Sequence, residues 1–169
     1  MSVARTAIGL GAMSLLLGGL GVRVALAAVP HSCDLVPQVE VARIVGNAVD
    51  VTRNPPFERD GVKGSSCAYY QSNRAGNSAV ITVTTSGAGA PQARMKSYGE
   101  ALVKGGGTAE PDTVAGLPAL FTASKGGTVQ MFVVKGDVLL GAGVHMPKDG
   151  KAAERDHSRA LAAAALGGL

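Results

Sequence analysis

The sequence has no tryptophan, and its six aromatic residues are Phe57, Tyr69, Tyr70, Tyr98, Phe121 and Phe132 among 169 positions. A hydrophobic core claims most of so small a set, which leaves little for the stacked rings that carry carbohydrate or nucleobase recognition. A concentrated basic face is also missing, since Arg53, Arg59, Lys63, Arg74, Arg94, Lys96, Lys104 and Lys125 are scattered singly. Nucleic acid needs such a face to displace its counterions, so nucleic-acid binding is set aside. The catalytic signatures are absent as well: there is no Gly-x-Ser-x-Gly elbow, and after residue 27 no Ser-x-x-Lys pair. No His-x-x-x-His pair marks a metal site, and no cofactor is expected. Gly105-Gly106-Gly107 follows a predicted helix instead of opening one, and Gly141-Ala142-Gly143 lacks a third glycine, so neither reads as a phosphate cradle.

What is present begins with residues 1–27. Arg5 supplies a positive start, Ala7 to Leu20 form an uncharged apolar run, and Ala25 and Ala27 occupy the small-residue positions before a cleavage point. This is the pattern of an export signal cut after Ala27; the alternative is a retained N-terminal anchor. The run is shorter than the roughly 20 residues a spanning helix requires, and no later stretch is apolar enough to span. Residues 28–169 are expected to form one domain, exported to the periplasm or the exterior and free of the membrane after cleavage. Two of the 16 Lys and Arg residues, Arg5 and Arg23, lie in the leader and none of the 12 acids does, so the remainder carries a net charge of +2.

Cys33 and Cys67, 34 residues apart, are the two cysteines. In an oxidising compartment an isolated pair reads as a structural disulfide. A redox pair would show Cys-x-x-Cys, and zinc would want four ligands. Acylation of Cys33 is disfavoured by Pro30 and His31 in the residues leading up to it.

The expected elements follow from periodicity. Leu35, Val39, Ala42 and Val45 give a helix over Asp34–Val45, and Ala48–Arg53 alternates as a strand. Asn54–Gly64, with two prolines and five charges, reads as a loop. Ser66–Gln71 and Ala79–Thr85 read as strands flanking a turn at Arg74–Asn77. Pro91–Val103 is a helix with Met95, Tyr98 and Leu102 as its apolar stripe. Val114–Phe121 is a short extended segment. Thr128–Lys135 and Asp137–His145 form a hairpin, and Asp149–Leu166 is an Ala-rich helix. Neighbouring strands close enough for hairpins give an α+β fold, a mostly antiparallel sheet with helices packed against it.

The residues Cys33-Asp34-Leu35-Val36, Glu40-Val41-Ala42, Ile44-Val45-Gly46, Gly64-Ser65-Ser66-Cys67, Tyr69, Val114, Gly116-Leu117, Val133, Lys135-Gly136-Asp137 and Leu139-Leu140 carry a resemblance. In their spacing the chain resembles a family of small exported bacterial proteins that includes many lipoproteins of mycobacteria and related organisms. The resemblance implies a PsbP-like fold and brings no catalytic residues with it. This chain departs from the lipoprotein members in lacking the acylation motif.

Three histidines remain as candidate bases. His31 is expected in a flexible lead, His145 just after a strand, and His157 on a solvated face beside Arg155, Asp156 and Arg159. Tyr69 and Tyr70, adjacent on a strand, must place one ring on each face of the sheet. One of them is expected beside the charged segment holding Phe57 and Arg59, and these four are the candidate binding residues. The expected function is a non-enzymatic binding or interaction module of the cell envelope, with a small apolar ligand or an envelope protein as partner. The alternatives are a secreted enzyme with an unrecognised site, and an inhibitor or effector acting on a foreign protein through Asn54–Gly64.

Overall fold

Alternating apolar and polar residues along the chain build one antiparallel sheet whose two faces have different chemistry. The computed structural model describes residues 30–47, 49–71, 76–86 and 89–169. The expected leader with its cleavage point, and Arg74 and Ala75 of the expected turn, lie outside the described residues. The strands are β1 (Asp50–Arg53), β2 (Phe57–Arg59), β3 (Val62–Tyr70), β4 (Ser78–Thr85), β5 (Thr108–Val114), β6 (Leu117–Ala123), β7 (Val129–Lys135) and β8 (Val138–His145). The helices are α1 (Gln38–Val45), α2 (Ala90–Lys104) and α3 (Gly150–Gly167). The eight strands run in the order β1-β3-β4-β8-β7-β6-β5, with β2 paired to β3 beside β1. Every pairing is antiparallel.

The first face is the core. Ile81 and Val83 of β4, Leu140 and Ala142 of β8, and Met131 and Val133 of β7 are fully buried there. Leu161, Ala162 and Ala165 of α3 and Val41 and Val45 of α1 close over them in a single cluster. The Cys33–Cys67 disulfide is formed, and ties the segment before α1 to β3. That segment is also held by His31, whose Nε2 lies 2.8 Å from the Asn54 carbonyl oxygen, and by an Arg53–Asp34 ion pair. The Arg53 guanidinium hydrogen-bonded to Asp34 holds its carboxyl below the ordinary value. His31 is therefore anchored, contrary to the expectation of a flexible lead.

Four further expectations need correction. The helix expected over Asp34–Val45 divides into a 3-10 turn at Ser32–Asp34 and α1, with Pro37 at the boundary. Proline's missing N–H suits a helix start and not its interior. The buried face of α1 is Val41, Ile44 and Val45, while Val39 is 77% exposed. The segment Asn54–Gly64 contains β2 and the start of β3, an exposed hairpin instead of a plain loop. The extended segment Val114–Phe121 is the turn and second strand of a hairpin whose first strand, β5, went unread.

The strand β5 escaped because its inward positions are charged. Glu110 and Asp112 face α3, where Arg155 meets both acids, at 2.6 and 3.0 Å, and Arg159 meets Asp112 at 2.7 Å. Polar residues with dedicated partners replace the apolar alternation on which strand recognition depends. Pro111 is tolerated because β5 is an edge strand.

Candidate functional site

The second face of the sheet is lined by small residues where the first is filled by large ones. Along β4 it presents Val80, Thr82 and Thr84, paired with Gly143, Gly141 and Leu139 of β8. A Cβ at Gly141 would stand 3.1 Å from the Phe132 ring, and one at Gly143 would stand 2.8 Å from the Val129 carbonyl oxygen. Bare backbone at these two positions lets Phe132 and Gln130 lie down across β8.

Helix α2 sits on this face through Gly99, where a Cβ would come within 2.9 Å of Leu120. Elsewhere it stands off. Met95 and Leu102 of the expected stripe are half-buried, and Tyr98 is 44% exposed. The stripe does not enter a closed core because the strands beneath it offer few side chains to pack against. Tyr98 instead meets Phe132 edge-on, with ring centroids 4.7 Å apart.

Two cavities open on this face of the sheet, and the larger lies between it and α2. The larger, about 550 Å³, is walled by Thr82, Thr84, Arg94, Tyr98, Phe132 and Leu139, with Gly141 in its floor. The second, about 420 Å³, is lined by Tyr70, Val80, Thr128, Gly143 and His145 among others. Thr82 pairs with Gly141 in the larger cavity and Val80 with Gly143 in the smaller, two residues or roughly 7 Å apart along the strands. The two share no lining residue, and only the larger includes residues of α2. Arg94 is the one charged residue lining the larger cavity. Its Nη1 is shut off from solvent and has no hydrogen-bond partner among the described residues. In sequence it was one basic residue among several on the flank of α2, and only the packing singles it out.

The four expected binding residues separate. Tyr70 lies on the trough face, with its hydroxyl bonded to that of Thr52. Tyr69 points into the core at 1% exposure, and its hydroxyl has no hydrogen-bond partner among the described residues. Burial pushes the Tyr69 phenol up, and the nearby Asp34 carboxylate adds to the shift. Phe57 and Arg59 are exposed on β2, whose register places Phe57 opposite Gly64 while Tyr70 ends β3. Six residues of extended strand separate Gly64 from Tyr70, about 20 Å, so the structure does not bring Tyr70 beside them.

The histidines each have a partner. His145 Nδ1 lies 3.0 Å from the buried Glu154 carboxylate, which also accepts a 2.7 Å hydrogen bond from the Met146 backbone. Among the described residues, no serine, threonine or cysteine side chain bonds the His145 ring, so a nucleophile–base pair is not assembled there. Glu154 and His157 stand three apart on α3, a spacing that holds metals in helical bundles. His157 Nδ1 is instead 2.7 Å from the Ala153 carbonyl oxygen, and no metal-ligating cluster exists among the described residues.

The face expected to be solvated around Arg155 and Arg159 is a cross-link between α3 and β5. Arg155 also lies 4.5 Å from the Phe121 ring centroid. Burial raises the Asp112 carboxyl, but hydrogen bonds from Arg159, the Thr113 backbone N–H and Arg155 outweigh it, and its pKa falls below the ordinary 3.8. A lowered folded-state pKa contributes stability that is complete above the unfolded value and is lost as pH falls through the folded one. Wild type is therefore expected to melt above Asp112→Asn at pH 7, with the gap closing progressively below pH 3.8. Thermal melts from pH 7 to pH 2 check this, and a gap independent of pH would remove the carboxylate's role.

In comparisons with known protein families and with curated proteins, no family model and no protein matches this chain.

Proposed function

We propose that this chain is an exported, non-enzymatic binding module of the cell envelope, and that it holds a small apolar ligand in the trough between α2 and the second face of the sheet. One observation carries the reading: a cavity of about 550 Å³ lies between a helix and a glycine floor, walled by Tyr98, Phe132, Leu139 and Ala101. Its size falls within the 300–1,000 Å³ of small-molecule sites, and its chemistry is theirs, an apolar wall with a few polar groups. Export rests on the leader-like residues 1–27 and accords with the disulfide. Among the described residues no helix is long and apolar enough to cross a membrane. The PsbP-like relationship remains part of this proposal and rests on the spaced residues around Cys33, Cys67 and Lys135.

An uncharged fluorescent naphthalene dye, N-phenyl-1-naphthylamine, tests the site. Wild type is expected to bind it with enhanced, blue-shifted emission. Ala101→Trp places an indole on the wall of the cavity and is expected to weaken binding at least about tenfold, a loss of some 1.4 kcal/mol. Ala101 is itself exposed, so the melting temperature is expected to stay unchanged. Equal dye binding by wild type and variant would remove the trough as the site.

A further inference from the structure

We infer that the ligand of the trough is an amphiphile with one anionic head, a long-chain carboxylate, and that Arg94 receives the head while the tail runs along the glycine floor. The inference rests on the trough being a binding site and adds the chemistry of what it binds.

The first support is the state of Arg94. A guanidinium nitrogen removed from water without an acceptor is costly, and hydrogen bonds to charged partners are among the stronger ones a protein makes. Of the ion pairs among the described residues, those of α2 are confined to Lys96 with Glu100, on the exposed side. No acidic side chain lines the cavity, so the protein supplies the positive charge and leaves the negative one to the occupant. The flat fork of arginine matches a carboxylate in particular.

The second support is the position of Arg94 along the trough. Helix α2 begins at Ala90, shortly after β4 ends at Thr85, which sets Arg94 at the Thr84–Leu139 end. The hydroxyls of Thr82 and Ser97 share that cavity with it. The rest of that cavity's wall is Tyr98, Ala101, Phe132 and Leu139, with Gly141 in its floor. Arg94 is therefore the one charged group of a cavity whose wall is otherwise largely apolar. A molecule with an anionic head and an apolar tail matches both parts of that wall. Gly141 leaves room for the Phe132 ring in the cavity wall, because a Cβ there would stand 3.1 Å from it.

The test uses the full chain with its disulfide formed, and measures displacement of N-phenyl-1-naphthylamine at pH 8 by two ligands of equal tail length. Laurate is ionised and dodecanol is neutral, and both are kept below their aggregation limits. Wild type is expected to bind laurate at least about tenfold more tightly than dodecanol, the range of one charge-assisted hydrogen bond. Arg94→Gln is expected to bring laurate down to the level of dodecanol and to leave dodecanol unchanged, whereas Arg94→Lys keeps a preference for laurate.

Equal affinity for the two ligands in wild type would overturn the inference, a comparison that needs no variant to fold. A laurate preference that survives in Arg94→Gln would overturn it too. If dye and dodecanol bind and laurate has no advantage, the trough remains a site and the anionic head is wrong. If none of the three binds, the trough reading falls with it.

Discussion

Replacing Cys33 and Cys67 together with alanine is expected to lower stability by about 3–4 kcal/mol, the loop-closure entropy returned to an unfolded chain bridged across 34 residues. The melting temperature is expected to fall by roughly 10–15 °C for a domain of this size. The effect is large because the bridge holds more than two sulfur atoms. Cys67 is fully buried in β3, and the segment it retains carries Leu35 and Val36, which are 4% and 1% exposed beneath α1. Ser32 in the same segment donates its backbone N–H to the Ser65 hydroxyl at 2.9 Å. Thermal melts of oxidised wild type, reduced wild type and the double variant separate the bridge from its sulfur packing. A double variant that melts with oxidised wild type would show that the N-terminal contacts hold alone.

Leu161→Ala is expected to cost about 2–5 kcal/mol, comparable with or larger than the disulfide. Leu161 is fully buried on α3 and belongs to the cluster with Met131, Val133 and Leu140. Shortening it removes buried methyl groups and leaves a void walled by strands that are already hydrogen-bonded on both sides, which limits collapse around the gap. The comparison is Val39→Ala on α1, where 77% exposure sets an expected change within about 0.5 kcal/mol. Urea unfolding of both variants checks the contrast. Similar midpoints for the two would mean that α3 does not carry the core.

Most of the fold was legible because the first face of the sheet follows a period of two. Ile81 and Val83, then the hairpin of β7 and β8 about Gly136-Asp137, alternate cleanly, and their strands lie within a residue or two of the expected bounds. The Ala-rich run gave α3 nearly to the residue. What was not legible depended on partners distant in the chain. The strand β5 uses Glu110 and Asp112 where an apolar residue would have signalled it, and the arginines that make those acids acceptable lie more than 40 residues later, as with Asp112 and Arg155 at a separation of 43. The burial of α1 shifted from Val39 to Val41 because Pro37 delays the start of the helix.

The site was less legible still. Tyr69 and Tyr70 do fall on opposite faces, as strand geometry requires, but the trough belongs to α2 and β8, which sequence reading treated as stripe and hairpin. Arg94 carries no signal in a chain of scattered cations. Its meaning comes from the packing of Gly99 on Leu120, which fixes the helix and leaves the guanidinium facing a cavity. Gly141 and Gly143 were visible only as too few glycines for a phosphate cradle, and their role is to admit Phe132 and Gln130 of the neighbouring strand.

Helix α3 covers a sheet whose described strands all precede it in sequence. Its 18 residues supply Leu161, Ala162, Ala165 and Leu166 to the core and cap the sheet that precedes them. The centre of that sheet joins β4 to β8, with Thr84 and Leu139 in contact across 55 residues. Without α3, the described strands would present Met131, Val133 and Leu140 short of their cover. The helix supplies burial that helps offset the entropy of ordering, and a sheet stripped of it would carry an adhesive apolar face.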